Sequence, residues 1–411
     1  MDIFVIATLL IVLSAIFGYV NVRFLKLPVT IGLMIIALIF SLATMLVGTV
    51  FPEMLAYEKE LIGQIDFEEV LMEGMLSFLL FAGALHVNFA QLKDLRGPII
   101  LFATLGVVTS TFLVGGLTYL LLNLLGLPTA FIYCLLFGAL ISPTDPIAVM
   151  GILKKAGVPK KLEVKIVGES LFNDGIGVVV FLTIFGIAAS GTPHFDFGEI
   201  GLLFLEEVGG GIILGLGLGY VAYRLMRSID NYEVEVMISL AIVMGGYLLA
   251  SKLHFSGPLA MVVAGLVIGH ERFRTSSMSE VTELYVDKFW ELMDVLFNAI
   301  LFVLIGLEIL ILPFEQSYLT AGILAIPIVL LCRYASLSLP IEIFKKKLEF
   351  IPKTNLIMTW GGLRGGISIA LALSLTEEMS RNLILNMTYI VVVFSIVIQG
   401  LTVDNLVRRI Q

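Results

Sequence analysis

The sequence predicts an all-α integral membrane protein of thirteen transmembrane helices, built as two inverted six-helix repeats with broken crossing helices. The chain of 411 residues is 59% hydrophobic and only 14% charged, whereas a soluble globular chain is about a quarter charged. Its apolar runs are continuous and about 20 residues long, enough to cross a bilayer as helices. They do not alternate as the strands of a membrane barrel do. Basic residues recur at every second connection. The net charge of −8 says little, because the placement of Lys and Arg, not their total, sets membrane orientation.

In order, the expected spans run near 3–22, 29–49, 67–88, 98–122, 129–151, 164–189, 198–223, 234–251, 256–270, 289–312, 317–342, 354–376 and 383–404. The first has neither a basic n-region nor a small-residue cleavage site, so it reads as a retained span and not a signal peptide. Arg23 and Lys26 follow the first span, Lys93 and Arg96 the third, and Lys154, Lys155, Lys160, Lys161 and Lys165 the fifth. Arg224 and Arg227 follow the seventh, Arg272 and Arg274 the ninth, Lys345, Lys346, Lys347 and Lys353 the eleventh, and Arg408 and Arg409 the last. Every basic cluster thus follows an odd-numbered span. The longest even-side connection is acidic, with Glu53, Glu58, Glu60 and Asp66. The expectation is a multi-pass cell-membrane protein with its N-terminus outside and its C-terminus in the cytoplasm.

The seventh span carries Gly209, Gly210, Gly211, Gly215, Gly217 and Gly219, read as close helix packing through small residues. No strand precedes it, so it is not a nucleotide-binding loop. Ser276 to Asp287 is polar and amphipathic and reads as a surface helix or loop on the inner face, between the ninth and tenth spans. Cys134 and Cys332 sit alone in apolar runs as packing residues. No catalytic, nucleotide or cofactor motif stands out, so neither nucleotide nor nucleic acid is an expected partner and the bilayer is.

Three polar stretches interrupt the apolar runs. Ser142-Pro143-Thr144-Asp145-Pro146 in the fifth span loses two backbone donors to proline. Either a plain kink capped by Asp145 or a true break results, and a break is tolerated at this depth only where protein or a water-filled cavity satisfies the freed groups. Trp360-Gly361-Gly362-Leu363-Arg364-Gly365-Gly366 in the twelfth span is a second expected break, with Arg364 as a buried counter-ion. The fifth and twelfth spans are seven apart and cross in opposite directions. Matching broken helices in two inverted halves, with the seventh span as connector, point to a transporter binding site. In the sixth span, Ser170, Asn173 and Asp174 are spaced i, i+3, i+4 and share one helix face, with Glu169 at its edge. This group is either a surface cap or an ion site at depth. Oxygen ligands of this kind suit a hard cation.

At these residues the sequence resembles the cation:proton antiporter 1 family, the sodium/proton exchangers. The pieces that match are Thr144-Asp145-Pro146, Glu169-Ser170-Leu171-Phe172-Asn173-Asp174-Gly175 and Gly361-Gly362-Leu363-Arg364-Gly365-Gly366. The resemblance implies that Asp174 carries cation and proton in alternation. It implies that Thr144 (through its carbonyl), Asp145 and Ser170 complete the shell of the transported sodium or lithium, with Asn173 marking an electroneutral branch. Glu169 would pair with Arg364 as a structural ion pair. A core bundle, near 98–189 and 317–405, would move like an elevator against a dimerisation bundle, near 1–88 and 198–312. The whole chain would be one transporter domain, a homodimer serving pH homeostasis, with monovalent cations and protons as its partners and no cofactor. Some relatives place an acidic residue in the third span near Leu80-Phe81-Ala82-Gly83. Ala82 stands there, so no ligand is expected from that span. His86 reads as a pH sensor or simply a solvated interface residue, and Arg333 as snorkelling to the inner surface or pairing with an unnamed carboxylate. Asn298, Glu308 and Gln399 read as interhelical hydrogen bonds or cavity lining.

Two other classes use the same residues. An intramembrane aspartyl protease would pair Asp145 with Asp174, but the chain lacks a Gly-x-Gly-Asp arrangement. A sodium-coupled symporter of an organic anion would need basic groups at the crossing, where Arg364 is the one obvious candidate.

Overall fold

The structure is a computed structural model that describes residues 3–53, 67, 70–86, 96–145, 160–190, 197–313, 315–344 and 353–410. Every regular element among the described residues is helical. The chain opens with α1 (Ile3–Val20), a π-helical turn at Asn21–Leu25 and α2 (Val29–Gly48). A π turn at Val70–Met75 leads into α3 (Leu76–Leu85). Next come α4 (Arg96–Leu101), a π turn at Phe102–Gly106 and α5 (Val107–Leu124). The half-length α6 (Phe131–Ile141) is followed by the long α7 (Lys160–Ser190), α8 (Phe197–Met226) and α9 (Tyr232–Lys252). Then come α10 (Gly257–Ile268), the short α11 (Glu271–Ser277), α12 (Glu280–Glu308) and α13 (Gln316–Phe344). The chain closes with α14 (Thr354–Trp360), α15 (Gly366–Leu373), α16 (Arg381–Phe394), a π turn at Ser395–Gln399 and α17 (Gly400–Ile410).

Among the described residues nine helices are long and apolar enough to cross a membrane, and α3, α6 and α10 are shorter apolar helices. Large apolar side chains such as Phe4, Ile16, Leu46, Ile213 and Leu216 are exposed, as expected of a surface that meets lipid. Residues 146–151 of the expected fifth span, and the lysines at 154, 155 and 345–347, lie outside the described residues.

Ser276 to Asp287 is mostly helical, with Val281, Leu284 and Tyr285 exposed, but it is not set between two spans, because most of it forms the first turns of α12. Ser279 caps that helix by accepting from Thr282 N, and Glu280 and Glu283 suit its positive N-terminal end. Arg274 on α11 binds Glu283 at 3.1 Å and Asp287 at 2.7 Å, which fastens α11 to it.

The glycines of α8 serve packing. A Cβ on Gly215 would lie 2.5 Å from Ala260 O of α10, and one on Gly211 would lie 2.8 Å from Ser256 O. The two backbones approach too closely for any side chain. Gly217 faces open space. Gly215→Val should therefore lower the thermal unfolding midpoint of the solubilised protein, by an overpacking cost of about 1–3 kcal/mol, while Gly217→Val should not. Equal midpoints for the two variants would contradict this packing. Ala82 packs beside Phe81, whose ring lies 4.5 Å from that of Trp290. His86 closes α3, with Nδ1 2.8 Å from Ala82 O.

Candidate functional site

The prolines of the fifth span end α6 at Ile141 and leave 142–145 without regular structure. The glycines of the twelfth span do the same between α14 and α15. The two irregular stretches satisfy each other. Asp145 N donates to Leu363 O at 2.7 Å. Arg364 Nη1 donates to Ser142 O and, at 2.8 Å, to Pro143 O. A cation at the C-terminal carbonyls of a half-helix also complements its dipole.

The π turn before α17 supplies further partners. Ser395 Oγ accepts from Arg364 N at 2.9 Å, and Gln399 Nε2 donates to Trp360 O at 3.0 Å. Close approach needs small residues here. A Cβ on Gly365 would sit 2.7 Å from Asp145 Oδ2, and one on Gly177 of α7 would collide with Pro143.

α7 brings its polar face against the first break. Asn173 Oδ1 accepts from Thr144 N at 3.2 Å, and its Nδ2 donates to Thr144 Oγ1 at 2.9 Å and Glu169 Oε1 at 3.2 Å. Thr144 Oγ1 and Ser170 Oγ lie 2.8 Å apart. Thr144, Glu169, Ser170, Asn173 and Asp174 are all buried. A cavity of about 40 Å³ adjoins them, lined among others by Asp145, Asp174, Pro143, Ser368 and Asn298. That is room for a few waters or one partly hydrated ion.

The structure thus brings together Thr144, Asp145, Ser170, Asn173 and Asp174, the five residues read from the sequence, in two groups. Asp145 and Asp174 face the cavity. Asn173, with Thr144 and Ser170, forms the hydrogen-bonded group behind it, and the amide of Asn173 is engaged with protein on both sides.

The expected pair of Glu169 with Arg364 is corrected. Glu169 binds Arg333 of α13, with Nη1 to Oε1 at 2.6 Å and Nη2 to Oε2 at 2.7 Å. This is a two-pronged bond between side chains that are each at most 2% exposed. The Arg364 guanidinium bonds instead to the carbonyls at the end of α6. Sequence reasoning missed Ser368 and Ser395, while Asn298, read as an interhelical bond or cavity lining, does line the cavity. Asp294 and Asn298, spaced i, i+4 in an apolar run, gave a usable signal. Ser395 gave none, since one serine in a span is commonplace.

Charges at the crossing do not cancel. Among the groups on the two breaks, α7 and α13, Asp145, Glu169 and Asp174 face Arg333 and Arg364, which leaves one unit of negative charge when all are ionised (three against two). Asp294, partly exposed on α12, lies outside that count. At 5% exposure for Asp174, that charge needs a proton or a cation beside it.

The family model described as "Sodium/hydrogen exchanger, transmembrane" matches residues 11–409. The chain is 51% identical over 405 residues to the Na(+)/H(+) antiporter NhaP of Pseudomonas aeruginosa, covering 97% of this chain and 95% of that one. It is 34% identical over 393 residues to the Na(+)/H(+) antiporter NhaH of Halobacillus dabanensis, covering 94% and 93%. Its fold matches the sodium proton antiporter MjNhaP1 from Methanocaldococcus jannaschii at pH 8, with a TM-score of 0.72, 20% identity and coverage of 97% and 96%.

Proposed function

The chain belongs to the sodium/hydrogen exchanger family, and on that premise we propose that it is a secondary antiporter exchanging a monovalent cation, sodium or lithium, for a proton. The single surplus negative charge at the crossing carries this reading. One proton on Asp174, or one cation held by Asp174 with Asp145 and the oxygens of Thr144 and Ser170, neutralises it. Both at once would leave it positive. An exchanger that fills one charge with either guest is electroneutral. The empty core keeps its charge and crosses slowly, which couples the two flows.

The proposed movement is an elevator: a core near 98–189 and 317–405 slides against a dimerisation bundle near 1–88 and 198–312. The thirteen-span count, the inverted repeats, the outside N-terminus and the homodimer belong to the same proposal. The relatives are antiporters and lend no support to a protease or an organic-anion symporter.

Competition has a measurable sign. Protons displace the cation from one carboxylate, so exchange fails on the acid side at a pH set by the cation concentration. In proteoliposomes, a tenfold rise in sodium should move that acid limb down by about one pH unit. An acid limb fixed in pH across sodium concentrations would refute the shared site.

A further inference from the structure

Helix α12 belongs to the proposed dimerisation bundle, yet it reaches the crossing. The side chain of Leu301 fills the space that a Cβ on Gly366 would need. Asn298, one turn earlier, lines the same cavity as Asp145 and Asp174 and is 4% exposed. Its Nδ2 donates to Asp294 O at 2.8 Å and to Asp294 Oδ1 at 3.0 Å. Both partners are acceptors, so the amide can only sit with its nitrogen toward Asp294 and its oxygen away. That oxygen is buried and meets no hydrogen-bond donor among the described residues. A buried amide oxygen without a donor is uncommon and calls for a guest. In a cavity that also presents two carboxylates, a cation answers all three oxygens together.

We propose that Asn298 supplies an oxygen ligand to the transported cation, directly or through one water, and thereby tilts the site's preference from proton to cation. The inference rests on Asp174 as the shared site. A proton on Asp174 completes its chemistry with one bond. A hard cation needs several oxygens around it. Asn298 therefore strengthens the cation-loaded state and leaves the proton-loaded state alone. Asp294 fixes the amide in this pose. It is partly exposed, one turn nearer the start of α12, and within electrostatic reach of Asp145.

The test is sodium-driven proton flux in proteoliposomes with Asn298→Ala. The KM for sodium should rise about tenfold, while kcat stays within about twofold. At fixed sodium the acid limb should move up by about one pH unit, because a weaker cation is displaced by fewer protons. Asn298→Ser, which keeps one oxygen, should fall between. If the Ala variant does not assemble, the Ser variant is judged by the same shifts. A lower kcat with KM and acid limb unmoved would show a structural role only and overturn the assignment, as would no change at all. Asp174→Asn is measured alongside. Lost exchange there, with an unmoved KM in the Asn298 variants, overturns the Asn298 assignment alone. Persisting exchange in Asp174→Asn overturns the reading beneath it.

Discussion

Asp174→Asn is expected to abolish sodium-dependent proton movement in proteoliposomes while leaving a folded protein. Asparagine matches aspartate in shape and keeps an oxygen on the cavity wall. What it loses is the charge and the ability to take a proton. The crossing then holds two carboxylates against two guanidiniums, with no surplus to be filled. The empty core becomes neutral and has no reason to wait for either ion, so coupling goes as well as binding. Removing an uncompensated buried charge should leave the thermal unfolding midpoint in detergent unchanged or higher, since such a charge is costly in the absence of its partner. Flux at the level of protein-free vesicles, with an intact midpoint, is the expected pair of results. Exchange at the wild-type rate would remove Asp174 from the mechanism.

The second large effect concerns stability. Arg333→Met should destabilise the protein by about 3–5 kcal/mol, because it strands Glu169 as a lone buried carboxylate. Adding Glu169→Gln should recover much of that loss, since removing both partners of a buried pair is often close to neutral. The coupling between Glu169 and Arg333 should therefore be strong in a double-mutant cycle read by unfolding in detergent. Glu169 with Arg364 should couple less than Glu169 with Arg333, since the two share charge attraction while Arg364's hydrogen bonds go to carbonyls. A stronger coupling to Arg364 than to Arg333 would reverse the pairing.

The difference between those two arginines marks how far the sequence could be read. Asp174, Asn173 and Asp145 were conspicuous because each is costly in an apolar run, and proline and glycine announced both breaks. The spacing of Ser170, Asn173 and Asp174 placed them on one face, and α7 turns that face to Thr144. Which arginine meets Glu169 depends on the rotation of α13 against α7, about which neither span carries a signal. Arg364 lies inside the glycine motif that marks the second break, while Arg333, though nearer to Glu169 in the chain, lies in no motif. The carbonyls that claim it are backbone groups, identical in every residue and silent in one dimension. Asn298 shows the same limit: its helix was legible, but the direction of its oxygen follows from two contacts with Asp294. The first turns of α12 read as a surface helix or loop because they are polar; that they continue the tenth span is signalled only by a capping serine and two acidic residues, which begin a long helix well.

The mutual bonding of the two breaks has a consequence for how the chain is made. Ser142 and Arg364 are 222 residues apart. At about 5–20 residues per second, the first broken helix leaves the ribosome roughly 10–45 s before the guanidinium that will cover its carbonyls exists. During that interval the end of α6 has neither Arg364 nor Leu363 O to meet it, and bare backbone is not tolerated in lipid. The nascent fifth span must therefore stay near water or a headgroup, or be held by the membrane-insertion machinery. Its final depth is fixed only when the twelfth span arrives. The proposed ion crossing therefore cannot be complete before Arg364 and Leu363 arrive to meet the end of α6.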